Sequence, residues 1–106
     1  MIKVIIARNS ESQITEFTMT GHADYDVHGK DLVCAGASAV VFGCVNALFA
    51  LTASEPDVDM ADDGGYLSMK LENPDDDKVQ LILETMIVSL KTIESEYTEF
   101  IKLEYK

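Results

Sequence analysis

No charged residue occurs between Leu32 and Ala53, and this run constrains the chain more than any other feature. It is long enough to cross a bilayer as a helix. Yet it is rich in Ala, Gly, Ser and Cys, carries Asn46, and is framed by Asp31 and Glu55 with no basic flank to orient it. The remainder reads as strands and one amphipathic helix, elements that need an apolar helix at their centre. The expectation is a soluble helix from near Asp31 to about Thr52, apolar around its whole circumference and buried on most sides, with part of it available to a dimer interface. Gly36, Ala37, Gly43 and Ala47 permit close backbone approach along it.

Around that helix the pattern is regular. Ile2 to Ala7 is a β-rich run, Asn9-Ser10-Glu11-Ser12 is turn chemistry, and Ile14 to Thr20 alternates. The alternation puts Ile14, Glu16, Thr18 and Thr20 on one face and Thr15, Phe17 and Met19 on the other, so the two runs predict a hairpin. Ser54 to Met60 reads as a short strand or extended turn. Asp62-Asp63-Gly64-Gly65 is a hairpin signal, and Tyr66 to Glu72 is the returning strand. Asn73-Pro74-Asp75-Asp76-Asp77 marks a helix start, with Asn as cap and Pro in first position. Val79, Ile82, Leu83, Met86, Ile87, Leu90 and Ile93 form one stripe of that second helix. Phe100 to Tyr105 alternates and closes as a fifth strand. The order ββαββαβ predicts an α+β fold: one two-layer domain over residues 1–106, with a mostly antiparallel five-stranded sheet and two helices packed on it.

Eight basic residues against nineteen acidic ones leave a net charge of −11. Such a surface has nothing left to neutralise phosphates, so nucleic acid and anionic membrane are disfavoured, whereas a basic protein or peptide is drawn in faster. Much of the excess also serves solubility. The two cysteines, Cys34 and Cys44, fall on one helix about 15 Å apart along its axis, beyond the roughly 7 Å that a disulfide spans. Free thiols and the absence of a leader before the first strand predict a cytoplasmic protein.

Gly21 to Lys30 has two glycines, two histidines and two aspartates, with neither strand nor helix period. It is longer than a simple connection requires, and such loops often carry function. Directly after it, Cys34 sits in the first turn of the apolar helix, where unpaired N–H groups and the positive dipole end favour a thiolate. His22 lies twelve residues earlier, where strand gives way to loop, and a hairpin packed on the helix could bring its imidazole to the sulfur. Nucleophile and general base are what acyl transfer to a thiol needs. Free cysteine is also among the most buried side chains, so from these residues alone Cys34 is as well read as an inert core thiol, and Cys44 is better read so. Asp31 either caps the helix by accepting from the N–H of Cys34 or orients the imidazole or substrate. Ser38, one turn past Cys34, either hydrogen-bonds into the site or back-bonds to the Cys34 carbonyl.

Gly21-His22-Ala23, then Gly29-Lys30-Asp31-Leu32-Val33-Cys34-Ala35, then Ser38, together look like the signature of the ribosomal-processing cysteine protease family, Prp. Length and element order are similar to that family over essentially the whole chain. The resemblance implies a protease that removes the N-terminal extension of large-subunit ribosomal protein twenty-seven, cutting after an aromatic residue. It implies His22 and Cys34 as the catalytic pair, with Asp31 and Ser38 at shared supporting positions. It also implies a homodimer and a mobile loop beside the cleft, Gly21 to Lys30, with Gly21 and Gly29 as hinges; a glycine-bounded loop that orders over peptide would keep an idle thiolate from cutting unselectively. No cofactor or metal is called for.

Two other classes compete with that expectation. A metal-binding module could use His22, His28 and Cys34 with Asp24 and Asp26, but five intervening residues on each side match no common zinc pattern. Asp57, Asp59, Asp62 and Asp63 lack the glycine and distal glutamate of a calcium loop. A non-catalytic ribosome-assembly adaptor could instead hold a basic client on the acidic surface.

Overall fold

The computed structural model describes residues 1–27, 30–62 and 64–106. Strands β1 (Ile2–Arg8) and β2 (Ile14–Thr20) are followed by α1 (Leu32–Leu51), β3 (Asp57–Met60), β4 (Tyr66–Lys70), α2 (Asp77–Glu96) and β5 (Ile101–Tyr105). One five-stranded sheet has the order β3-β4-β2-β1-β5. Its pairs are antiparallel except β1 with β5, so the sheet is mixed with one parallel edge. Parallel neighbours need a crossover, and α2 supplies it by carrying the chain from β4 over β2 and β1 to the far edge.

The helices pack on each other and on one face of the sheet. Ile2, Val4 and Ile6, then Phe17 and Met19, Leu67 and Met69, and Ile101 and Leu103 point into that layer and are buried. Ile14 joins them, which contradicts the alternation expected from sequence. The register between β1 and β2 runs Ala7 to Glu16 and then Arg8 to Ile14. Thr15 is therefore an extra residue, and a bulge of this kind resets which face the following side chain takes.

Two expectations for the helices also change. α1 buries only Val33, Ala37, Val41, Val45 and Leu48, a single stripe, rather than most of its circumference. Leu32, Phe49 and Leu51 are 66%, 49% and 70% exposed. A two-layer fold covers one side of each helix, and nothing among the described residues covers these side chains. This helix is long and apolar enough to cross a membrane, but its buried stripe is part of the core that the sheet and α2 complete. The second change concerns α2, which begins at Asp77, capped by Asp76 accepting from Lys78 and Val79 N–H. Asn73 instead closes a turn by accepting from Asp75 N–H at 3.0 Å, so the proline stands before the helix and not in its first turn.

Candidate active site

The C-terminal end of β2 meets the first residues of β1 and β4 at one end of the sheet, since Thr20 pairs with both Lys3 and Tyr66. The chain leaves β2 there and enters the loop that leads to α1. A cleft of about 520 Å³ opens at this junction, lined by Ile2, Met19, Gly21, His22, Asp24, Asp26, Asp31, Cys34, Ala35, Ser38, Phe42 and Gly64. All the described residues expected in the site thus share one cavity. Gly29 and His28 lie outside the described residues, as does Asp63.

Gly21 turns the chain with φ +85°, and a Cβ there would overlap the carbonyl oxygen of Met1. Glycine is needed for the conformation and for the close approach alike. Its N–H donates to Gly65 O at 3.0 Å, which fixes the loop entrance to the β3–β4 hairpin. His22 follows, exposed on the cleft wall. Ala23 is 2% exposed, so its methyl anchors the backbone in the core. Asp24 then takes a left-handed φ of 57°, and its carboxylate is 3.8 Å from the terminal amino group. Tyr25 rests edge-on against the rings of Tyr97 and Phe100, with centroids at 5.4 and 5.1 Å.

Asp31 joins the loop to the helix. It is buried, with Oδ1 accepting from Cys34 N–H at 3.0 Å and Oδ2 from Tyr25 and Asp26 N–H at 2.9 and 3.3 Å. Burial alone would raise its pKa. The backbone donors of Cys34, Asp26, Tyr25 and Val33 together outweigh that and hold it below the usual carboxylate range. Asp31 is thus the helix cap, as one of its two readings had it, and it is also the staple of the loop.

Cys34 is half-buried, and its Sγ accepts a hydrogen bond from Ala23 N–H at 3.2 Å. A donor so placed interacts more strongly with a thiolate than with a thiol. Cys34, Ser38 and Phe42 follow at intervals of four and present one face of α1 to the cleft. Ser38 has no bond to the Cys34 carbonyl among the described residues, unlike Thr85, Ser89 and Thr92, which back-bond on α2. Cys44 lies off the cleft, and burial pushes its thiol up, as expected of a structural cysteine.

The family described as cysteine protease Prp matches residues 1–102. The chain belongs to the Prp family. A ribosomal processing cysteine protease Prp of Staphylococcus aureus strain Mu50 is 51% identical over 106 residues, covering both chains completely. Its Bacillus subtilis counterpart is 46% identical over 107 residues, covering 97% of this chain and 96% of its own. A crystal structure of S. aureus Prp in complex with a covalently linked product peptide superposes with a TM-score of 0.98 at 51% identity, each chain covered in full. The protein is accordingly a ribosomal-processing cysteine protease with the fold of that family.

Among the described residues no three His, Cys, Asp or Glu side chains gather as a metal ligand set, and the metal alternative further depends on His28. Sequence reasoning pointed to the backbone N–H groups near Cys34 and missed that of Ala23. Ala23 belongs to the Gly-His-Ala triplet, yet its part is played by an N–H, which side-chain chemistry does not advertise. The apolar walls Ile2, Met19 and Phe42 were likewise hidden, because each reads as ordinary core.

Proposed function

We propose that Cys34 is the nucleophile and His22 the general base of an endopeptidase that removes the N-terminal extension of large-subunit ribosomal protein twenty-seven. One observation carries this reading above the others. The thiol at the start of α1 opens onto the same cleft as the His22 imidazole, and a backbone N–H is aimed at its sulfur.

In the reaction, the imidazole takes the thiol proton and Sγ attacks the scissile carbonyl carbon. The tetrahedral adduct collapses to a thioester as the leaving amine takes the proton from His22. Water, deprotonated by the same imidazole, then releases the new carboxylate and restores the thiol. Ile2, Met19 and Phe42 give the cleft apolar walls, which suit a bond that follows an aromatic residue. The net charge of −11 favours encounter with a basic ribosomal protein. Gly21, His22, Asp24 and Asp26 line the cleft, and ordering of their loop over peptide would keep an idle thiol from cutting unselectively. Ser38 contributes a hydroxyl on the Cys34 face of the helix.

The exposed apolar side of α1, with Leu32, Phe49 and Leu51, supports a homodimer built on that helix. Two free cysteines suit a reducing cytoplasm. Incubation with a peptide spanning the extension tests the catalytic assignment by mass spectrometry of the fragments. Wild type should cut after the aromatic residue, Cys34→Ala should not cut, and His22→Ala should be slower by about 10²–10⁴-fold. Cleavage by Cys34→Ala, the behaviour of an enzyme with another nucleophile, would overturn the reading. Absence of cleavage by wild type, the behaviour of an adaptor, would do the same.

A further inference from the structure

Attack on a peptide carbonyl places negative charge on its oxygen, and acyl-transfer sites meet that charge with preorganised donors, commonly including the nucleophile's own backbone N–H. In this fold that donor is already engaged. Cys34 N–H points to Asp31 Oδ1 at 3.0 Å, and Asp31 is buried and held ionised by its backbone donors. The next N–H along the helix, that of Ala35, bonds the Asp31 carbonyl at 3.0 Å. Asp31 therefore occupies the N–H groups of Cys34 and Ala35, the nucleophile's own donor and the next along the helix.

A different donor reaches the sulfur. Ala23 N–H lies 3.2 Å from Cys34 Sγ and comes from the loop. We propose that the backbone N–H of Ala23 is the oxyanion donor of this protease. At rest it bonds the sulfur. As the C–S bond forms, the carbonyl π pair moves to oxygen, two bonds from the sulfur, and the same N–H transfers its hydrogen bond to that oxygen. On collapse the pair returns to carbon, the C–N bond breaks, and the amine leaves with the proton that His22 held.

The donor's position is set from both sides. Upstream, Gly21 is fixed to Gly65 and takes a left-handed turn that no other residue fits beside Met1. Downstream, Asp24 is left-handed and Asp31 Oδ2 holds the N–H groups of Tyr25 and Asp26. The buried methyl of Ala23 fixes the peptide between them. Asp31 is then a positioning residue: it withdraws the helix donors and aims the loop donor.

This inference rests on Cys34 being the nucleophile, and the test separates the two. Semisynthetic Ala23→lactic acid replaces the N–H by an ester oxygen and keeps the methyl, and the same semisynthesis with alanine at position 23 keeps both. With the extension peptide, the ester protein should lose about 10²-fold in kcat with little change in KM, relative to the semisynthetic protein with its native amide. A loss in kcat below about tenfold overturns the assignment. A peptide aldehyde added to wild-type protein labelled with 15N-alanine gives a second reading that needs no variant. Its hemithioacetal should move the Ala23 amide proton downfield more than any other alanine amide, and an unmoved Ala23 amide refutes the proposal. Cleavage by Cys34→Ala would remove the nucleophile itself, whereas an active ester protein beside an inactive Cys34→Ala removes only the donor.

Discussion

Replacing Asp31 separates what holds the helix from what aims the loop. Asp31→Ala leaves three backbone N–H groups without their acceptor: Cys34 in the helix, and Tyr25 and Asp26 in the loop. Loss of an N-cap costs about 0.5–2 kcal/mol. The loop pair donate to water once released, because both residues are exposed, so they add about 1 kcal/mol together and not the full value of two charge-assisted bonds. Relief of burying the carboxylate offsets part of this. A net loss of about 2 kcal/mol lowers the urea midpoint by roughly 1 M. Asp31→Asn sharpens the test, since asparagine caps as well as aspartate and its Oδ1 can keep the Cys34 bond. Its amide hydrogens would then face the N–H groups of Tyr25 and Asp26, and those loop bonds are lost. Asp31→Asn should thus retain most of the stability yet fall in kcat nearly as far as Asp31→Ala. The folded pKa of Asp31 lies below its unfolded value near 3.9, so its stabilisation is full above that value and is lost as pH falls through the lowered folded value. The gap between wild type and Asp31→Ala should be constant at neutral pH and shrink below about pH 4. Equal urea midpoints for wild type and Asp31→Ala at pH 7 would refute the capping account. Full activity in Asp31→Asn would refute the staple.

Further predictions concern single contacts. Gly21→Ala forces a left-handed backbone and meets the Met1 carbonyl, so it should lower the melting temperature by the equivalent of about 1–3 kcal/mol; an unchanged melt would mean the loop entrance is not so constrained. Iodoacetamide at pH 7 should label Cys34 well before Cys44, whose thiol is pushed up by burial, as peptide mapping would show; the reverse order contradicts the assignment of Cys44 as structural. Tyr25→Phe should keep both ring contacts with Tyr97 and Phe100 and leave kcat unchanged, whereas Tyr25→Ala should lower it; equal kcat in both variants would show that the aromatic clasp does not position the loop.

The strand and helix order was legible because hydrophobic period and turn residues are local signals, as in Ile2–Arg8 and the stripe from Val79 to Leu90. The face taken by Ile14 was not legible, because a bulge at Thr15 depends on the partner strand. The exposed side of α1 escaped notice for a similar reason: composition reports that a helix is apolar, not which side of it another element will cover. In the site, the spacing of Gly21, His22, Asp31, Cys34 and Ser38 carried the family resemblance, and the cap by Asp31 followed from residue type alone. That the same carboxylate also reaches back to Tyr25 and Asp26 required the loop's path. So did the hydrogen bond from Ala23, since a backbone amide leaves no mark on a sequence.

Covalent trapping on the sulfur is the most direct measurement available. Wild-type protein mixed with an activated ester of the extension peptide and quenched in acid should gain the mass of the acyl group, and fragmentation should place it on Cys34 as a thioester. Peptide release with no adduct, or an adduct on any other residue, would contradict thiol catalysis at the start of α1.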